Sequence, residues 1–452
     1  MRAASTAAAA AAPACRCCLA DDLPVACRLA HTFSTRLAGD FDYADKWARA
    51  AIGGAKTAFT NGLYDVDFDT YNSGVTRRTA ASRGASFLTT WIYSIGMFEE
   101  AVNLCDTTAN AAALGFWDKG VAYYTGSLEG TDGNSKTGTF GELTYAYADR
   151  MCKEFKTCGA TGGQTSGGSR VNSEVLSLFF DGARFLKAGQ CSPLRALTYK
   201  IVQLMTVPLV QATLRSAYQL GFTTADKTAE TAPEGATYAA ALLPLLHYCD
   251  SSSGRTAAPI VAENLVLGAG TTNFVRVKNA IEQSYQCLGI TCVEVGGLWD
   301  TSTPAYLASG EPCVDSQQSQ TYVEVYPPIA GFSPGSSVNE HNEVHLIDSL
   351  SAHLSVYLSS YLSIYYLPTV FLIYPQVDLD IRDMIAETDL SKAKLWYTSG
   401  GNSQKSGGRT RTVRGFSTAA KKKSKPSEIS NPLRAPATHQ SETPSSSARK
   451  ST

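Results

Sequence analysis

Histidine is scarce in this chain, with six in 452 residues and a single one, His247, between positions 42 and 313. A zinc centre of several histidines is therefore excluded within that span, and no HExxH occurs to begin one. A serine hydrolase would have only His247 as its base, and the same span holds no GxSxG elbow to pair with it. No GxGxxG follows a strand-like run, so a nucleotide cofactor is unsupported. An excess of charge of either sign is also lacking: 39 Lys and Arg against 40 Asp and Glu leave a formal net charge of -1. That balance excludes nucleic acid as an expected partner and gives no reason to expect an anionic membrane surface.

CxxC spacing is absent from the eight cysteines scattered between Cys105 and Cys313. An even number of isolated cysteines in a Gly-, Tyr-, Thr- and Ser-rich chain points to disulfides and an oxidising compartment, not to zinc or a redox motif. The closest pairs, Cys152 with Cys158 and Cys287 with Cys292, are spaced to close small local loops. Buried free thiols in a cytosolic protein are the competing reading. Four further cysteines, Cys15, Cys17, Cys18 and Cys27, crowd the amino terminus.

What is present is apolar residue, at 44% of a chain long enough to bury one large core or two ordinary ones. Strand-like alternation is rare and helical periodicity is common. The stretch GFWDKGVAYYTGSLEG at 115–130 carries Trp117, Val121, Tyr124 and Leu128 on one helical stripe, which predicts a buried aromatic face. Helices are also expected over 44–60, 84–105, 141–155 and 171–220, the last broken near Pro193 and again near Pro208. Others are expected from Pro233 to Cys249, around 260–266 and over 273–288. The fold class is mostly α, a multi-helix array stabilised by disulfides, with disordered amino-terminal and carboxy-terminal segments.

The chain divides into six parts. Residues 1–40 read as a leader or disordered segment; the alanine run 7–12 makes a poor signal peptide, and the lack of acids before Asp21 equally suits an organellar transit peptide. Residues 41–315 form the helical domain, and 316–345 a linker. Residues 346–377 are an apolar insert, for which a retained intron and a weak membrane helix compete, leaving membrane association open. Residues 378–418 echo the start of the domain, 393–400 matching 55–62, as a fragment of a second repeat would. Residues 419–452 are a basic, Ser- and Pro-rich disordered tail.

The remaining chemistry is that of oxygen. Carboxylates and phenols stand at helix ends and loops, namely Asp118, Tyr123, Tyr124, Glu129, Glu142, Glu234 and Glu263, and hard cations such as ferric iron, manganese or calcium prefer such donors. Asp118 and Glu129 would lie roughly 16 Å apart on a regular helix, so any cation site needs partners from other helices. Asp65, Asp67 and Asp69 alternate like a calcium loop, but Thr70 and Thr76 replace its glycine and closing glutamate. Taken singly, each of these acids is as well explained as a cap or a surface charge, and His247 as a packed core residue.

The blocks FWDKGVAYYTGSLEG, GELTYAYADRMCKEFKTC, VPLVQATLRSAY, PEGATYAAALLPLLHYC and CLGITCVEVGGLW, with their cysteines, resemble the algal iron-assimilating proteins. These are known as low-iron-inducible or high-carbon-dioxide-inducible periplasmic proteins. The resemblance spans residues 44–313 and implies secretion to a periplasmic space or the cell surface, iron as the bound metal ion, and a role in iron uptake beside a surface reductase or transporter. It implies a non-enzymatic protein and often a tandem domain. It supplies no ligand residues, so the seven oxygen donors are read from this chain alone. Both ends depart from the family pattern. A structural or adhesive surface module without metal is the first alternative, and a carboxylate-dependent hydrolase is the second.

Overall fold

The computed structural model describes residues 43–59, 64–71, 73–105, 110–126, 141–222, 228–254, 256–266, 272–314, 375–402, 410 and 412–415. The expected leader (1–40), linker (316–345), basic tail (419–452) and the apolar insert up to 374 lie outside these residues. Fourteen α-helices dominate what is described. In chain order they begin with α1 (Tyr43–Gly53), a hairpin of β1 (Lys56–Phe59) and β2 (Tyr64–Asp67), and α2 (Gly74–Gly84). A π-helical segment, Ala85–Thr90, joins α2 to α3 (Trp91–Cys105). Then come α4 (Asn110–Thr125), α5 (Thr144–Phe155), α6 (Arg170–Lys187), the 31-residue α7 (Cys191–Gly221) and α8 (Thr231–Ser253). Shorter pieces follow: α9 (Ala257–Val261) with a second π segment (Ala262–Val266), α10 (Phe274–Glu282), α11 (Tyr285–Leu288), α12 (Cys292–Val295) and the hairpin β3 (Trp299–Asp300) with β4 (Ala305–Tyr306). The helices α13 (Pro375–Ala386) and α14 (Leu390–Ser399) close the described chain.

The mostly α class holds, with two corrections at proline and glycine. The helix expected over 44–60 stops at Gly53, because Gly54 turns left-handed (φ +65°) and the chain enters β1 instead. Arg77 seals that end, donating from Nε to the Ala51 carbonyl at 3.2 Å and from Nη2 to that of Ile52 at 2.6 Å. Pro208, expected to break a helix, lies fully inside α7. A proline there removes one backbone donor, but Val207, Leu209 and Val210 on either side are completely buried, and that packing carries the helix through.

The predicted stripe is core at Trp117 and Tyr124 and half-buried at Val121, and Leu128 lies outside the described residues. Trp117 and Tyr124 on α4 are buried, with Trp117 Nε1 donating to the Phe179 carbonyl on α6 at 3.0 Å and its ring 4.9 Å from Phe98 on α3. Gly182 on α6 exists for the same contact, since a Cβ there would overlap the Trp117 ring. Glycine at this point lets α4 and α6 approach closely enough to seat the indole.

All eight cysteines from Cys105 to Cys313 are paired: Cys105 with Cys191, Cys152 with Cys158, Cys249 with Cys287, and Cys292 with Cys313. The local Cys152–Cys158 loop was legible from spacing. The expected Cys287–Cys292 pair is not formed. Gly289 (φ +69°) ends α11 and a Thr291–Glu294 capping box starts α12, so the two cysteines leave on separate helices toward different partners.

Helices α13 and α14 pack on α1 and α2. The Tyr397 hydroxyl donates to Asp45 Oδ1 at 3.1 Å, and Arg78 donates to the Glu387 carbonyl. The echoing stretches differ in local structure, 393–399 being helix and 56–59 strand. Among the described residues no helix is long and apolar enough to cross a membrane.

Candidate functional site

The π segment after α2 sets the site. Such segments shift helical register by one residue and are often found where function demands it. Here it carries Phe87 beneath two phenols, with ring centroids 4.9 Å from Tyr147 on α5 and 5.2 Å from Tyr238 on α8. One turn earlier, in the last turn of α2, Arg83 reaches over the same aromatic floor. Its Nη1 donates to Glu142 Oε2 at 2.8 Å, just before α5, and its Nε donates to Glu234 Oε1 at 2.9 Å, in the first turn of α8. Arg150, one turn after Tyr147, adds Nη1 and Nη2 bonds to Glu142 at 3.4 and 3.2 Å and stands 5.2 Å over the Tyr147 ring. Arg215 on α7 pairs with Glu154 on α5.

Arg83, Tyr147, Arg150, Glu154, Arg215 and Glu234 line a cleft of about 470 Å³ that opens to solvent, with Met151, Lys153, Gln219, Thr228, Glu230 and Thr231 completing its lining. Its electrostatics follow from burial and pairing. Burial alone would raise the Glu142 pKa, but Arg150 and Arg83 hold it below the ordinary carboxylate value. Burial opposes the Arg83 charge, yet the surroundings, with Tyr238, Glu234 and Glu142 foremost, keep it firmly protonated. Burial and the nearby Glu234 push the Tyr147 phenol up to about 12. The cleft is thus a fixed array of charge on an aromatic floor.

The seven oxygen donors do not form one cluster. Glu142 and Glu234 come together on Arg83. Asp118 is partly buried on α4, where burial raises its pKa and Lys187 partly offsets this. Tyr123 is buried with its ring edge-on to Tyr93 at 4.9 Å. The Tyr124 hydroxyl donates to Asn172 Oδ1 at 2.7 Å in the core, and burial raises its pKa well above the ordinary value. Glu263, in the second π segment, pairs with Arg276 at 3.3 Å with both side chains more than half exposed. Glu129 lies outside the described residues. Among the described residues no group of three or more His, Cys, Asp and Glu is placed to hold a metal.

Sequence reasoning passed over Arg83, Arg150 and Arg215. The signal that could have found them is elementary: carboxylates buried at helix ends need cationic partners, and long arginines on neighbouring helices supply them. No protein-family model, curated protein or solved structure matches the chain.

Proposed function

We propose that this chain is an iron-binding protein of an oxidising, extracytoplasmic compartment, where it gathers iron for uptake, and that iron is taken at the Arg83 cleft. The observation that carries the reading is the meeting of Glu142 and Glu234, drawn from distant parts of the chain, on the Arg83 guanidinium, with Glu234 lining a solvent-open cleft. Hard-metal chemistry uses such oxygen donors. The four disulfides support an oxidising address, since they persist poorly in a reducing cytosol. The block resemblance to algal iron-assimilating proteins supplies the physiological role. Cargo is held, not turned over, and its onward partner is a surface reductase or transporter.

The test is metal analysis of the protein purified from iron-replete medium, beside a Glu142→Gln/Glu234→Gln variant. Iron in the first and not in the second is expected. Equal iron in both moves the site elsewhere, and iron in neither removes the function.

A second reading rests on its own observation. Glu142 and Glu234 are already matched to arginine, as a surface module without metal would have them. In such a module the cluster is a strut between α2, α5 and α8. Ferric titration followed in the visible separates the two, because oxygen-ligated ferric iron on a phenolate gives a charge-transfer band and an inert strut gives none.

A further inference from the structure

We infer that Arg83 is a built-in competitor for the metal, a tethered cation that holds Glu142 and Glu234 until iron displaces it, an inference that rests on the iron-binding reading and concerns the regulation of that site. The guanidinium fills the gap between the two carboxylates, with Nη1 2.8 Å from Glu142 Oε2 and Nε 2.9 Å from Glu234 Oε1. An ion bridging the same two groups has to take that place. Guanidinium and metal therefore exclude one another there, and each supplies the positive charge that two neighbouring, largely buried carboxylates require.

The displaced side chain has somewhere to go. Arg83 and Glu234 both line the cleft, which opens to solvent, so the guanidinium leaves the pair by turning into that space. Glu230, the N-cap residue of α8, lines the same cleft one turn before Glu234 and forms no ion pair with any described residue, which gives the moved charge a new carboxylate. Glu142 is not stripped of its counter-charge in the exchange, because Arg150 keeps its Nη1 and Nη2 bonds to it at 3.4 and 3.2 Å. Only molecules with Arg83 displaced are competent to bind, so the apparent affinity for iron is lowered by the fraction they represent. A protein that hands its cargo on gains from this, since the return of Arg83 to the carboxylates favours release.

The experiment follows Arg83 in the full native chain. Arginine labelling by phenylglyoxal, read peptide by peptide by mass spectrometry, is run with and without ferrous ion under anaerobic conditions and again with ferric nitrilotriacetate, while isothermal titration reports whether each binds. Iron should speed the labelling of Arg83, whose side chain is otherwise only 16% exposed, and leave that of Arg150 unchanged. Arg83→Lys keeps the charge but loses the two-sided grip of Nε and Nη1. Iron should bind that variant roughly tenfold tighter or more, a gain that net charge cannot produce because net charge is the same. Iron binding with Arg83 labelled no faster, or with no higher affinity in folded Arg83→Lys, overturns the inference and leaves the iron-binding function standing. Labelling of the native chain decides alone where the variant does not fold. Failure of both iron forms to bind removes both readings.

Discussion

Arg83 and Glu234 stand 151 residues apart in the chain and 2.9 Å apart in space, Nε to Oε1, with Glu142 on the neighbouring nitrogen of the same guanidinium. One side chain thereby ties α2, the entry to α5 and the first turn of α8 into a single wall. All three partners are more than four-fifths hidden, with side-chain exposures of 16% for Arg83 and 13% for each glutamate. At that burial the removal of one member costs more than the pair contributes, because the remaining charges have no water to turn to.

Arg83→Met should therefore destabilise the protein by about 3 to 5 kcal/mol. Urea unfolding followed by tryptophan fluorescence measures it. Adding Glu142→Gln and Glu234→Gln to the same chain should recover most of the loss, since neutral amides no longer need the guanidinium. A loss no larger than that of an exposed ion pair, about 1 kcal/mol or less, would show that the cluster is solvated.

Stability should respond to pH with opposite signs at two glutamates. Glu142 has a lowered pKa because Arg150 and Arg83 outweigh its burial, so its contribution is complete above the ordinary carboxylate value and is lost as pH falls through the lowered folded value. Glu99 on α3 is buried, and burial followed by the neighbouring Glu100 raises its pKa well above the ordinary value. It favours the folded state only below the ordinary value, and that help is lost as pH rises through the raised one. Near neutrality Glu142→Gln should lower Tm and Glu99→Gln should raise it, and the Glu99→Gln effect should vanish below the ordinary carboxylate pKa. Scanning calorimetry across pH checks both directions.

The disulfides should rank by the loop each closes. Cys105–Cys191 spans 86 residues and Cys152–Cys158 only 6. Restricting the unfolded chain over the longer loop is worth about 2 kcal/mol more. Paired Cys→Ser variants at the two sites, compared in guanidinium, should show Cys105/Cys191 as the costlier loss.

Helices α13 and α14 should behave as part of the same folded unit as α1. Tyr397 is completely buried and its hydroxyl meets Asp45, which also holds Arg49 at 3.0 Å and Arg414 at 3.3 Å. Tyr397→Phe should cost about 1 kcal/mol through the lost hydrogen bond, and Tyr397→Ala about 3 to 5 kcal/mol through the cavity. Hydrogen exchange should then quicken in α1 as well as in α14. Faster exchange confined to α14 would make the segment an appendage.

Much of this molecule was written in local pattern. The periodicity around Trp117 and Tyr124, the scarcity of alternating runs and the even cysteine count are one-dimensional signals, and they determined a helical, disulfide-braced array with an aromatic core. The glycine pair at 53–54 that ends α1 is a local signal too, though an alanine-rich helical pattern running past it concealed the strand beyond. What tertiary structure alone decided was partnership. Which cysteine meets Cys287, whether Pro208 ends a helix, and whether Glu234 faces a metal, a water or an arginine all depend on side chains brought together from distant positions. A carboxylate at a helix end looks the same in sequence whatever stands opposite it. The long reach of Arg83, Arg150 and Arg215 supplies the counter-charges, because buried charge is tolerated only where an opposite charge can be placed within hydrogen-bond distance.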